Sequence, residues 1–283
     1  MKQLLKRNLL IYFRDRTSVF FSVLAALITF ILYILVFRNL YSQTGMGTFY
    51  NLTDIWAICG IVITPTVTAS LGALWVWVDD RKNKLYQDFY VSPIKRWKLT
   101  GGYMLSSFTI GIIMSMILLA ATQIFLLTQG VGFFTWQQYL KAFGVIVLST
   151  FSGAGMMMFL VGLFSSSNAF SGFSLVIGTF MGFACGNYVP MGILPEAAQT
   201  VIKFCPAAHA AALMRQIFIG DQMNELMSGA PQEFVDYFAV YLGIKFSSGE
   251  AIMEPWVHVA MLAGTGILFY ALAIPVCSRK RTK

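Results

Sequence analysis

Charge is scarce in this chain, and its absences are placed. Asp, Glu, Lys and Arg make up 11% of 283 residues, against about a quarter in a soluble globular domain. Ser18–Phe37, Ile55–Val78, Leu99–Gln129 and Pro255–Ser278 contain none, and Ala142–Lys203 has only Glu196 and Lys203 near its end. No Gly-Lys dipeptide occurs, so there is no phosphate-cradling loop of the Gly-x-x-x-x-Gly-Lys-Ser/Thr kind. Histidine is limited to His209 and His258, and the four cysteines have no Cys-x-x-Cys spacing, which leaves little for a metal site. A Gly-x-Ser-x-Gly nucleophile elbow is also missing, which removes support for acyl transfer or proteolysis.

What remains is apolar length. A bilayer core of about 30 Å takes about 20 apolar residues in a helix, and only helices and closed barrels satisfy their backbone groups in lipid. The charge-poor runs predict an all-α integral membrane protein, residues 1–283 forming one domain with six spans. They fall at about 18–37, 55–78, 103–127, 142–164, 169–189 and 255–277. The polar break Ser165-Ser166-Ser167-Asn168 divides the fourth from the fifth. Fifteen of the twenty basic residues lie before the first span, between the second and third, or after the last. That bias places both termini in the cytoplasm, which suits an even number of spans. It also turns the net charge of +8 toward membrane lipids rather than nucleic acid. The basic start resembles a signal peptide, but the run after it is too long, and no small-residue cleavage site precedes Arg38. It reads as a retained span.

Residues 2–16 read as an amphipathic interfacial helix, with Leu4, Leu5, Leu9, Tyr12 and Phe13 toward the membrane and Lys2, Lys6, Arg7, Arg14 and Arg16 at headgroups. In the second span Pro65 removes a backbone donor and kinks the helix. The hydroxyls of Thr64, Thr66, Thr68 and Ser70 either bond back to local carbonyls or line a pathway. The fifth span carries Ser174, Gly178, Gly182 and Gly186 at four-residue spacing, a smooth strip for packing on another helix, in this chain or in a second copy. Pro190, Pro195 and Pro206, with Glu196 and Lys203, break the next apolar segment, so residues 190–254 are expected as re-entrant or outer helices. One is bracketed by Pro206 and Gly220. A second, near Pro231–Leu242, shows Phe234, Phe238, Tyr241 and Leu242 on one side.

The loop from Asp79 to Gly102 is the most charged. Arg81–Tyr90 is expected as a short helix ended by Pro93, presenting Leu85, Tyr86, Phe89 and Tyr90 as an apolar ridge with a charged rim. Such a ridge docks into a partner's groove or rests on headgroups. Glu254 and His258, one turn apart, suggest an interfacial hydrogen bond, since a metal would need a third ligand. If the chain takes part in active transport, the energy comes from an ion gradient or from a separate ATPase, and uncharged span centres speak against the gradient.

Two passages carry a family resemblance. Asp80–Ile94, closing on Val91-Ser92-Pro93-Ile94-Lys95-Arg96, is similar to the inner loop of ABC type-2 exporter permeases, the ABC-2 membrane family that includes daunorubicin-resistance-like multidrug, antibiotic-peptide and polysaccharide exporters. Leu194-Pro195-Glu196, Phe204-Cys205-Pro206-Ala207-Ala208-His209 and Met214-Arg215-Gln216 resemble that family's outer signature. The chain departs from it at Asn83-Lys84-Leu85 and at Ala207-Ala208-His209. The resemblance implies a permease subunit in the cell membrane with no catalytic residue, metal or cofactor of its own, ATP being bound by cytoplasmic ATPase partners. It further implies pairing with a second permease copy or a paralogue, and outward movement of an amphipathic drug, antimicrobial peptide, toxin or lipid-linked molecule. Arg81, Leu85, Tyr86, Phe89, Tyr90 and Pro93 would couple to the ATPase. Gly178, Gly182 and Gly186 would pack helices, and Pro190, Pro195, Pro206, His209 and Arg215 would form an outer gate. The residues alone leave open an ion-gradient-driven carrier or a lipid-modifying membrane enzyme.

Overall fold

A computed structural model describes residues 2–37, 50–83, 85, 96–164, 166–248 and 251–278. The chain begins with α1 (Lys2–Arg14) and α2 (Arg16–Leu32), the latter running into a π-helical turn, Tyr33–Phe37. Helix α3 (Tyr50–Ala73) continues after a break at Leu74 as α4 (Trp75–Lys82). Then come α5 (Arg96–Thr128), α6 (Trp136–Leu163) and α7 (Ser167–Ala184). A 3-10 turn (Met191–Ile193), α8 (Glu196–Lys203), α9 (Pro206–Leu226) and α10 (Gln232–Tyr241) follow. A two-residue hairpin of β1 (Ser247–Ser248) and β2 (Ala251–Ile252), antiparallel with Ser247 opposite Ile252, precedes α11 (Pro255–Ser278).

Among the described residues four helical stretches are long and apolar enough to cross a membrane: Leu52–Lys82, Trp97–Thr128, Trp136–Leu163 and Pro255–Cys277. The first and fifth expected spans fall on α2, of 17 residues plus the π turn, and on α7, of 18 residues, which are not among those four. The apolar windows differ in role. That of Leu52–Lys82 is 83% buried inside the chain and that of Pro255–Cys277 only 17%. The second span is therefore the core around which the others pack, while α11 turns Ile267, Leu268 and Leu272 outward. An apolar exterior of this kind suits a hydrocarbon solvent.

Helix α5 has 33 residues, about 50 Å at 1.5 Å per residue, some 20 Å more than a bilayer core. It begins at Arg96, earlier than the expected 103, and projects at the end where α1 and α4 lie, here called the basic end. The opposite, capped end is closed by residues 185–248 and 251–254. Helix α6 starts six residues before the expected 142 because Thr135 caps it: the Thr135 hydroxyl accepts from the Gln138 N–H while Gln138 Oε1 accepts from the Thr135 N–H.

Close packing depends on glycine where helices cross. Helices α6 and α11 form the most extensive pair. In it Phe151 and Tyr270 stack at 4.7 Å with their rings 10° apart. A Cβ on Gly155 would run into Tyr270 at 2.6 Å, and one on Gly266 into Phe151. Between α3, α5 and α6, a Cβ on Gly111 would collide with the Ser70 hydroxyl.

Several expectations are revised. Gly220 does not end the helix that Pro206 starts; α9 runs on to Leu226, its burial against α3, α6 and α11 outweighing the roughly 1 kcal/mol cost of an interior glycine. In α10 the buried positions are Val235 and Ala239; of the side that carries Phe234, Phe238, Tyr241 and Leu242, Leu242 is buried and Phe238 and Tyr241 pack against the core, whereas Phe234 is exposed. Arg81 belongs to the last turn of α4, a continuation of the second span, rather than to a new helix. Lys82 is the last helical residue before the Asn83 cap.

Candidate functional site

At mid-bundle the hydroxyls of the second span meet partners. Thr66 and Ser149 lie 2.8 Å apart. Ser107 donates to the Ser70 carbonyl at 2.6 Å, and Ser70 donates to the Ser107 carbonyl at 3.2 Å and to the Thr66 carbonyl at 2.7 Å. Ser152 and Thr265 bridge α6 and α11 at 2.7 Å. Thr64 and Thr68 bond back to the Gly60 and Thr64 carbonyls. The local reading of these hydroxyls holds for all four, which bond back to carbonyls three or four residues earlier, and the buried Thr66 and Ser70 also join helices. Those two line a seam, not an open face.

The capped end is organised around Arg215, 3% exposed. Helix α7 ends in a Schellman turn: the Asn187 N–H bonds the Gly182 carbonyl at 2.9 Å and the Gly186 N–H bonds the Phe183 carbonyl at 3.0 Å. Gly186 supplies the required φ of 66°. Helix α10 ends in the same way, with Ile244 on Ala239 at 2.9 Å, Gly243 on Val240 at 3.0 Å, and Gly243 at φ 67°. Both ends aim free carbonyls at one guanidinium. Arg215 donates to Cys185 O at 2.7 Å, Gly186 O at 3.2 Å and Gly243 O at 3.4 Å. The negative ends of two helix dipoles thus meet the buried cation. Arg215 Nε reaches Trp56 O at 3.3 Å, the guanidinium lies over the Trp56 ring at 4.6 Å, and Trp56 Nε1 donates to Leu242 O at 2.7 Å. Gly60 lets this cluster approach α3, since a Cβ there would meet the Cys185 carbonyl at 2.5 Å. Nearby, Asn187 donates to Thr64 at 2.9 Å.

Beside it the two histidines meet, their Nδ1 atoms 2.7 Å apart. His209 Nε2 is 2.8 Å from the Lys203 carbonyl, which can only accept, so this nitrogen carries the proton and His209 Nδ1 accepts from His258. That leaves His258 Nε2 as a buried acceptor with no partner among the described residues. Burial holds His209 below the ordinary imidazole value. The expected Glu254–His258 pairing is replaced by this one: His258 is buried and Glu254 exposed. Among the described residues no cluster of three His, Cys, Asp or Glu side chains is placed to hold a metal.

At the basic end Arg7 does not reach for headgroups as expected. Its two terminal nitrogens each bond one oxygen of Asp80 at 2.7 Å, and Tyr103 donates to the same carboxylate at 2.5 Å. Asp80 is 2% exposed. The carboxylate raises the pKa of the guanidinium above its ordinary value.

The residues singled out in the sequence divide as follows. Arg81 stacks on Trp77 at 4.5 Å and Leu85 is exposed; Tyr86, Phe89, Tyr90 and Pro93 lie outside the described residues. Gly178 faces open space, Gly182 abuts Tyr188, and Gly186 stands beyond the helix in its cap. The three do not form one continuous helical strip. Pro190 caps the 3-10 turn, Pro195 precedes α8, and Pro206 is the first residue of α9. His209 and Arg215, six residues apart on α9, both serve the capped end. The sequence reading missed Asp80, Tyr103, Trp56 and Asn187. An Asp pair, Asp79-Asp80, ending an apolar span next to a basic run, with a Tyr in the following span, was the available signal for the first two.

Apolar helices with an outward apolar surface and polar groups joined at their seams define a multi-pass helical membrane protein. The family described as ABC-2 type transporter matches residues 1–219, and the chain belongs to it. Its members are transport subunits rather than enzymes. The chain is similar to Nodulation protein J of Rhizobium meliloti (strain 1021), 30% identical over 105 residues, 37% of this chain and 40% of that protein. It is also similar to Nodulation protein J of Rhizobium leguminosarum bv. viciae, 30% identical over 136 residues, 48% and 51%. With Nodulation protein J of Sinorhizobium fredii (strain NBRC 101917 / NGR234) it shares 32% over 98 residues, 35% and 37%. The matches span about half the length of these relatives or less.

Proposed function

We propose that this chain is the membrane-spanning permease of an ATP-driven exporter in the cell membrane. Its ATPase is a separate cytoplasmic subunit that docks at the basic end, and a second permease copy or a paralogue completes the complex. In this reading α2 and α7 are the first and fifth of six spans, both termini are cytoplasmic, and residues 190–254 form outer helices that cap the exit. The cargo is an amphipathic or hydrophobic molecule: a drug, an antimicrobial peptide or toxin, or a lipid-linked compound. Nucleic acid has no part.

The observation that carries the reading is the family match over residues 1–219, which runs from the surface helix through Arg215. The geometry adds a mechanical argument. Mid-span hydroxyls are used in joining helices, so force is better delivered at an end than by an ion moving through the bundle. A push on the loop beyond Lys82 would tilt α3 and α4, the most buried span, and carry the displacement to Trp56 and Arg215 under the cap.

The test is to purify the chain from its native membrane, identify any ATPase that copurifies, and reconstitute the assembly in liposomes. Expected are vanadate-sensitive ATP hydrolysis and its stimulation by some members of a panel of hydrophobic drugs, cationic peptides and lipid-linked sugars. Uphill transport by the chain alone under a proton gradient would overturn the proposal.

A further inference from the structure

We propose that Asp80 is a positioning residue that locks α1, α4 and the projecting part of α5 into one rigid lever at the basic end. The inference rests on the permease reading for its use, but its geometry stands independently. Three elements far apart in sequence meet on one carboxylate: Arg7 on α1, Asp80 on α4 and Tyr103 on α5.

A buried carboxylate at a helix end is a costly way to hold helices together, because desolvation offsets much of the attraction, and apolar residues often do as well. What the two-pronged arginine–carboxylate contact adds is direction. Two parallel bonds fix rotation as well as distance. The lock is framed on both sides. One turn before it, Leu4 fills the space above Gly102, where a Cβ would strike its side chain. Beside it, the buried Asn8 donates to Ser106 at 3.2 Å. One turn beyond, the buried Tyr12 packs with Ala69 and Ala73 of α3 and Ile110 and Met114 of α5. Helix α1 therefore lies on the bundle in a single register along three turns, with the ion pair in the middle. Asp80 stands two residues before Lys82, where α4 ends. A displacement of the following loop reaches Asp80 first and through it Arg7, so α1 swings with α4 instead of sliding in the interface.

The experiment uses the full chain in liposomes. Spin labels are attached at Lys6→Cys on α1 and Trp97→Cys on α5, both exposed positions, while the four native cysteines are buried. The distance distribution is expected to be narrow. It should broaden about twofold in Asp80→Asn, which keeps shape but loses the charge that Arg7 requires. Arg7→Lys should broaden it less, and the exchanged pair Arg7→Asp with Asp80→Arg should narrow it again, a rescue that a simple packing role would not give. If Asp80→Asn fails to fold, Tyr103→Phe, which removes a single hydroxyl, should give a smaller broadening. A folded Asp80→Asn or Tyr103→Phe protein with the narrow wild-type distribution overturns the proposal. With a copurified ATPase present, ATP and vanadate should leave the wild-type distance unchanged; a separation of the two labels would overturn the lever. Should no ATPase bind, the permease reading fails while the distributions without nucleotide still decide the lock.

Discussion

Arg215 lies with its guanidinium 4.6 Å over the indole of Trp56, joining α9 to α3 at the point where two helix C-termini also converge. One cation thereby holds four elements, and two glycines with positive φ make the carbonyls available. Arg215→Lys keeps the charge but replaces a planar fork with a point donor. The variant should lose roughly 2–3 kcal/mol, since bonds to a charged group are each worth about 1.5–3 kcal/mol. Trp56→Phe keeps a ring under the cation but strands the Leu242 carbonyl, at about 1–2 kcal/mol. Thermal unfolding of the detergent-solubilised protein measures both, and Arg215→Lys should be the less stable.

The small residues of α7 separate by position. Nothing lies within 4 Å of a Cβ added at Gly178, whereas one at Gly182 would collide with Tyr188. Gly178→Ala should leave the chain unharmed or stabilise it by up to about 1 kcal/mol through helix propensity. Gly182→Leu should lower its thermal midpoint. Crosslinking in membranes then tests the packing role proposed for Gly178: if Gly178→Leu abolishes association between copies while the single chain stays folded, the face meets a second permease.

Acid should loosen the capped end. Burial depresses the His209 pKa below its ordinary 6.5, so the unfolded chain binds the proton more readily than the folded one. The corresponding stability is fully present above about pH 6.5 and is lost as pH falls below that toward the folded-state value. Unfolding midpoints at pH 7.5 and 5.5 should differ in the wild type, the lower pH being less stable, and differ less in His209→Gln. Equal slopes would mean that His209 is not held neutral by burial.

Docking of an ATPase should depend on the loop after α4. Leu85 is 42% exposed, available to a partner rather than used within the fold. Leu85→Asp and Phe89→Asp should reduce copurification of the ATPase by tenfold or more, equivalent to about 1.4 kcal/mol of binding, without changing insertion or thermal stability. Retained copurification and ATP-dependent transport in both variants would remove the loop from the coupling interface.

Legibility followed the kind of signal each feature leaves. The stretches 55–78, 103–127, 142–164 and 255–277 were readable because a bilayer demands long uncharged runs, and Pro206 was readable as a helix start because its missing N–H belongs there. Gly220 was misread because a local breaker yields to tertiary burial. Gly186 was misassigned to a helix face because four-residue spacing says nothing about where the helix stops. The Asp80 contacts with Arg7 and Tyr103, like the pairing of His209 with His258, cross separations of 73, 23 and 49 residues, and no periodicity records them.

The order of charged and uncharged segments in the chain was enough to determine a helical membrane protein with a basic end and a proline-rich cap, since lipid penalises each unpaired charge and backbone group wherever it stands; the resemblance to the ABC-2 family rested on the short passages around Pro93 and Pro206. Only the tertiary structure decided which polar side chains meet, turning Arg7 from the membrane surface onto Asp80 and directing two helix ends at Arg215. Those meetings arise from how helices are rotated and crossed, and side-chain packing across the bundle, not local sequence, sets rotation and crossing.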